Sequence, residues 1–157
     1  MKKINGNNLD MSSCEFAAIG WIITLFGLLF ANWQANHRET RKEIRVKLDQ
    51  LNQYLSVLLD SSKNYYLDEK STLTRESVKI HESINTCDRL IEDLKQFKND
   101  IDLRTHFYII FDMVTGGDFE SKKHRPGDHH AEHCKKISIQ KESLIKDAEA
   151  WYRKTFH

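Results

Sequence analysis

The feature that most constrains this chain is an uncharged apolar run at residues 16–33, FAAIGWIITLFGLLFANW. Eighteen helical residues extend about 27 Å, close to the roughly 30 Å hydrocarbon thickness of a bilayer. A cleaved signal peptide would not carry a long lead that contains Asp10 and Glu15, and a buried core helix seldom keeps every face free of charge. The run therefore predicts one membrane-spanning helix over residues 15–34, with the core helix and the signal peptide as alternatives.

Basic residues are distributed unevenly around this run. Lys2 and Lys3 precede it, whereas a basic cluster follows it, made up of Arg38, Arg41, Lys42, Arg45 and Lys47. The positive-inside rule then places the C-terminal side in the cytoplasm and leaves residues 1–14 as a short extracytoplasmic tail. The sequence thus predicts a single-pass protein of the cell inner membrane with its N-terminus outside.

Small residues recur along the apolar run at intervals of three and four, at Ala17, Gly20, Thr24, Gly27 and Ala31. In lipid, a stripe of small residues lets two helix backbones approach closely, which is a common source of association. The stripe predicts a homo-oligomer, in which paired Cys14 residues would crosslink outside. The alternative is that glycine and alanine are frequent in any membrane span.

The rest of the chain has the composition of a helical protein. No Gly or Pro occurs from residue 28 to residue 115, so the common helix breakers are missing. Lys and Arg total 24 against 23 Asp and Glu, and this balance predicts no specific nucleic-acid partner. Three cysteines without CxxC spacing indicate neither a disulfide framework nor a zinc ribbon.

Apolar periodicity predicts a cytoplasmic helical bundle over residues 35–157, with helices at about 36–66, 73–115 and 128–155. The predicted inner faces consist of Ile44, Leu48, Leu51, Leu55, Leu58 and Tyr65; Leu73, Ile80, Ile84, Cys87, Ile91, Leu94, Phe97 and Ile101; and Ala131, Cys134, Ile137, Leu144, Ala148 and Trp151. The predicted fold is all-α, a single N-terminal transmembrane helix followed by a long-helix hairpin or three-helix bundle.

Residues 105–125 combine an aromatic stretch with a small basic loop. In a hairpin of the predicted lengths this segment would regain the membrane surface, where aromatic and basic side chains are favoured. The predicted lipid or partner contacts are Arg38, Arg41, Lys42, Arg45, Phe107, Phe111, Lys122, Lys123 and Arg125. The alternative is an ordinary helical core followed by an exposed basic loop.

A histidine-rich segment, DHHAEHC at residues 128–134, offers metal ligands. His129 and His133 are four apart on one helical face, a spacing that two ligands of one ion can share. His106, near the returning end of the second helix, is the candidate third ligand, and zinc is the candidate cofactor. The alternative is a solvated histidine cluster without a cofactor.

No catalytic motif occurs: GxGxxG, a glycine-rich phosphate loop, GxSxG and HExxH are all missing, and no catalytic residue is predicted. The leading hypothesis is a self-associating membrane-anchored protein that tethers an unknown protein partner at the cytoplasmic face. One alternative is a membrane-disrupting effector of a toxin or phage-defence system. Another is a membrane-bound nuclease or metal-dependent hydrolase that uses the histidine cluster.

Overall fold

A computed structural model describes residues 13–69, 72–97 and 102–156. These residues form four α-helices, α1 (Ser13–Leu67), α2 (Leu73–Phe97), α3 (Leu103–Thr115) and α4 (Ala131–Phe156), and a single 3-10 turn at Asp128–His130. No strand occurs within the described ranges. The all-helical prediction is therefore confirmed.

The chain divides into two compact units, Met1–Thr40 and Arg41–His157. In the first unit, the N-terminal part of α1 has no buried residue in its most apolar window. Its large apolar side chains between Phe16 and Trp33 are between 43% and 77% exposed. Among the described helices, α1 alone is long and apolar enough to cross a membrane.

The second unit has one hydrophobic core to which all four helices contribute. Every residue in the predicted seam from Ile44 to Tyr65, which lies in the later part of α1, is buried. The seams of α2 and α4 are buried as well, except that Leu73 and Phe97 are partly exposed and Ala131 is exposed. Ile101 lies outside the described residues. Periodicity of apolar residues therefore located the inner faces of these helices.

Polar contacts between side chains of different helices give the helix directions in this unit. Arg45 of α1 pairs with Glu149, and Lys141 donates to the hydroxyl of Ser56, so α1 and α4 run antiparallel. The ion pair between Lys47 of α1 and Asp93, at 2.8 Å, places the later part of α2 beside the start of this unit.

In place of the single helix predicted over 73–115, the structure has two helices, α2 and α3. The carboxylate of Asp102 accepts a hydrogen bond from the backbone N–H of Thr105 at 3.2 Å and so caps the start of α3. Arg104 then pairs with Asp88 and Glu92, which a continuous helix would hold about 18 Å or more away. α3 therefore lies back against α2, and its apolar face is buried in the common core, namely Leu103, Phe107, Ile110 and Val114.

Candidate functional site

The last turn of α1 organises the loop between α3 and α4. Tyr66 donates its hydroxyl to the carbonyl of Val114 at 2.8 Å, and its own carbonyl accepts from the backbone N–H of Gly127 at 2.9 Å. The hydroxyl of Tyr65 accepts from the backbone N–H of Glu120 at 2.7 Å. Burial raises the pKa of both phenols above the ordinary value. Two adjacent protonated tyrosines therefore hold the loop at two points, Glu120 and Gly127, and the end of α3 at a third, Val114.

His124 lies inside this loop with its side chain fully buried. Its Nε2–H donates to the carbonyl of Tyr65 at 3.1 Å, and its Nδ1 lies 2.9 Å from Oδ2 of Asp118. The imidazole stacks on the Tyr65 ring, with centroids 4.5 Å apart, and meets the Tyr66 ring edge-on. A buried polar ring needs a partner at each nitrogen, and His124 has both.

Asp118 supplies the negative charge of the cluster. Burial raises the pKa of its carboxyl group, but the hydrogen bond and the charge of His124 lower it by more, so the pKa lies below its ordinary value. Nε2 of His130 lies 4.0 Å from Oδ2 of Asp118 and 3.2 Å from the carbonyl of Arg125. Burial, together with the neighbouring His129, lowers the pKa of His130, which favours the neutral imidazole.

His133 caps the end of α3. Its Nε2–H donates to the carbonyl of Met113 at 2.7 Å. The carbonyls of a helix's last turn have no partner within the helix, and side chains from elsewhere must satisfy them. His133 and Tyr66 together cap two consecutive carbonyls, those of Met113 and Val114.

A cleft of about 280 Å³ opens beside this cluster. Its walls are formed by α3, the loop, α1 and the start of α4, through Tyr66, Asp112, Met113, Gly116, Gly117, Asp118, His130 and His133. Solvent and small ions can therefore reach Asp118 and His130 from outside, while His124 lies behind them.

The structure does not bring the three predicted metal ligands together. Nδ1 of His106 lies 3.1 Å from Oδ2 of Asp147, which is about 21 Å further along α4 than His133. His129 is exposed, and its ring contacts that of His130 at a tilt of 41°, with centroids 4.0 Å apart. Within the described part of the chain, a different set has its ligand atoms within 4.8 Å of one another: Asp118, His124 and His130.

The basic residues predicted to contact lipid or a partner fall into two groups. Arg45 binds both carboxylate oxygens of Glu149, at 2.7 and 2.9 Å, and also pairs with Asp49. Arg41 donates its Nε–H to the hydroxyl of Tyr152 at 3.3 Å. The others have exposed side chains, namely Arg38, Lys42, Lys122, Lys123 and Arg125. The first group is thus engaged within the helical unit. The second faces solvent, and of its members Arg125 also donates to the carbonyls of His124, at 2.8 Å, and Lys122, at 3.4 Å.

The predicted aromatic contacts belong to the core. Phe107 is only 1% exposed, and Phe111 packs against the same cluster of apolar side chains. Their neighbours Tyr108 and Ile109 are exposed instead. In this segment the structure therefore follows the alternative of an ordinary helical core.

The small-residue stripe lies on the exposed part of α1. A Cβ added at Gly20 or Gly27 would meet no atom within 4 Å, and Thr24 donates its hydroxyl to the carbonyl of Gly20 at 2.8 Å. Ala31 is exposed as well. The side chains of Ala17 and Cys14 lie outside the described residues. Within this chain, nothing covers the described part of the stripe.

Sequence reasoning missed Tyr66, Asp118 and His124. The seam of α1 selects Tyr65 by its period, whereas Tyr66 is buried only because the loop folds over it. The one available signal was the equal spacing of Asp118, His124 and His130 around the single proline. That spacing corresponds to no helix or strand period. It therefore did not predict that the three residues lie together, which depends on how the loop folds.

Comparison of this chain with protein-family models, with curated proteins and with solved structures found no match.

Proposed function

We propose that this chain is a single-pass membrane protein whose helical unit tethers a partner protein at the cytoplasmic face of the inner membrane. The observation that carries the proposal is the exposure of the apolar side chains between Phe16 and Trp33, on every face of the helix. Monomeric soluble proteins rarely expose a continuous apolar surface of this extent. Lipid would cover it and so remove the cost of hydrating it.

Charge near the apolar segment supports the proposed orientation. Arg38 and Lys42 are exposed and remain available to anionic headgroups, whereas Arg45 and Lys47 are paired with carboxylates of the helical unit. All four count toward the positive-inside rule, because that rule depends on the residues present near the segment rather than on their final contacts.

Tethering is the mechanism that fits the remainder of the chain. The second unit is a salt-bridged helical body, and confining such a body to a membrane raises its effective concentration toward a partner held on the same surface. Tyr108 and Ile109 offer exposed apolar contact area on α3, and Lys122 and Lys123 offer exposed charge in the following loop. We place the partner contact on these residues.

Topology can be tested with tags at the two ends of the full-length chain in a bacterial host. A C-terminal tag should resist protease in intact spheroplasts and be digested after permeabilisation, and an N-terminal tag should behave in the opposite way. Digestion of the C-terminal tag in intact spheroplasts would contradict the proposed orientation.

Self-association is the second part of the proposal, and it rests on the uncovered stripe. Changing Gly20 and Gly27 to isoleucine should reduce crosslinking between copies in membranes, because the added side chains would hold two backbones apart. Ile22 and Leu29 lie on the opposite face of the helix, so replacing both with phenylalanine is the matched control. Equal crosslinking in both double variants and wild type would show that the stripe does not mediate self-association.

The same stripe is what a membrane-disrupting effector would use, and membrane potential separates the two functions. During induced expression, a potential-sensitive dye should report no change if the chain is a tether. Depolarisation that disappears in the Gly20→Ile, Gly27→Ile variant would favour the effector instead.

A further inference from the structure

We propose that Asp118, His124 and His130 form a binding site for a divalent transition-metal ion, with zinc as the best fit. The three residues come from the loop after α3 and from the 3-10 turn before α4. A carboxylate and two imidazoles are a typical ligand set for zinc, which is bound by three or four such groups in tetrahedral geometry. Magnesium and calcium prefer all-oxygen sites and fit this set poorly.

Distances between the ligand atoms match what such an ion requires. Tetrahedral ligands at about 2.0–2.1 Å from zinc lie about 3.3 Å from one another. Oδ2 of Asp118 lies 2.9 Å from Nδ1 of His124 and 4.0 Å from Nε2 of His130, so the two separations bracket that value. All three ligand atoms lie within 4.8 Å of one another, so the longer separations must shorten when the ion binds.

The second nitrogen of His124 is arranged as in known metal sites. A metal-bound imidazole almost always donates its other N–H to a carbonyl or carboxylate, which fixes the ring and the tautomer. His124 donates Nε2–H to the carbonyl of Tyr65, so Nδ1 would present a lone pair to the ion once it gives up its proton and its hydrogen bond to Asp118. Ring stacking on Tyr65 holds the imidazole in that orientation.

Like His124 at Nδ1, His130 must change its hydrogen bonding when the ion binds. Its Nε2 now lies 3.2 Å from the carbonyl of Arg125, and metal binding would exchange that hydrogen bond for a coordinate bond. The proton would then reside on Nδ1. The cleft beside Asp118 and His130 supplies an entry path and room for a water molecule as the fourth ligand.

This site goes beyond the proposed tether, because none of its three ligands is among the residues of the membrane segment or of the proposed partner contact, although Lys122 and Lys123 lie in the same loop. Zinc would join the loop to the start of α4 and so stabilise the region around Tyr65 and Tyr66. The metal is expected to bind at one ion per chain.

The test uses the tag-free full-length chain, purified in detergent and stripped with a chelator. Added zinc chloride should raise the melting temperature by about 5–10 °C at saturating ligand, whereas magnesium chloride should leave it unchanged. Elemental analysis after removal of free metal should give one zinc per chain. Absence of a zinc-dependent shift in the wild-type chain would overturn the proposal.

Three variants locate the site. His130→Ala and Asp118→Asn should both lose the zinc-dependent shift, and each can be compared with its own metal-free melting temperature because neither side chain is fully buried. His129→Ala is the matched control, since it removes an exposed histidine from the adjacent position, and it should keep the full shift. A shift that survives in His130→Ala and Asp118→Asn, or that is lost in His129→Ala alone, would overturn this assignment of ligands.

Discussion

At the scale of single residues, the buried hydroxyl group of Tyr66 joins the end of α1 to the end of α3. Tyr66→Phe removes the hydrogen bond to Val114 and leaves that carbonyl without its partner. We expect the free energy of unfolding to fall by about 1–3 kcal/mol. Chemical denaturation of the full-length protein in detergent measures this change. Tyr54→Phe is the control, because Tyr54 is exposed; equal stability of the two variants would show that the buried hydrogen bond contributes nothing.

Cys87 provides a pH-dependent prediction at the same scale. Burial raises the pKa of its thiol to about 12 from the ordinary 9.0, so the folded state disfavours the thiolate. Its contribution to stability is therefore complete below the unfolded pKa and declines as pH rises from there toward the folded pKa. Between pH 9 and 11 the wild type should lose up to about 1.4 kcal/mol per pH unit more than Cys87→Ala.

The measurement is the free energy of unfolding of both chains across that pH range. Subtracting the Cys87→Ala curve removes the titration of lysines and tyrosines, which both chains share. Parallel curves for the two chains would contradict the buried, high-pKa thiol.

At the scale of elements, the end of α3 is set by the backbone at Gly116. A Cβ at this position would collide with the backbone carbonyl oxygen of Asp112, which cannot move without disturbing the helix. Gly116→Ala should therefore destabilise the protein by about 1–3 kcal/mol. Asp112→Ala, an exposed change in the same turn, should stay within about 0.5 kcal/mol of wild type. Thermal unfolding of both variants measures this difference in stability. A Gly116→Ala chain as stable as Asp112→Ala would contradict the predicted steric clash.

Helices and their inner faces were predictable because their signal is local and periodic. The seam from Ile44 to Tyr65 repeats at intervals of three and four, and burial follows the repeat. The break between α2 and α3 was not predictable in the same way, since no Gly or Pro marks it. The apolar stripe continues across the break, and tertiary packing of Phe107 and Ile110 decides that the chain turns back.

At the scale of the whole molecule, the candidate site could be predicted from the sequence only in part. The histidine-rich segment was recognisable, but its neighbours in space were not, because they are set by closure of a loop without periodic structure. His133 caps α3 and His106 pairs with Asp147, whereas Asp118 and His124 join His130. A spacing rule for ligands on one helical face cannot anticipate ligands that come from a loop.

The proposed function depends on two properties of the chain. The apolar part of α1 exposes side chains that lipid would cover, and the unit from Arg41 onward has a buried hydrophobic core of its own. Lysine in place of Ile23 and Phe26 should abolish insertion, because each charge at the centre of a span costs about 2.5–3.5 kcal/mol.

Fractionation after cell breakage tests this central claim most directly. The full-length chain should remain in the membrane pellet after alkaline carbonate extraction, and the Ile23→Lys, Phe26→Lys chain should leave it. Recovery of the unaltered chain in the supernatant, unaggregated and without detergent, would contradict the proposed membrane anchor.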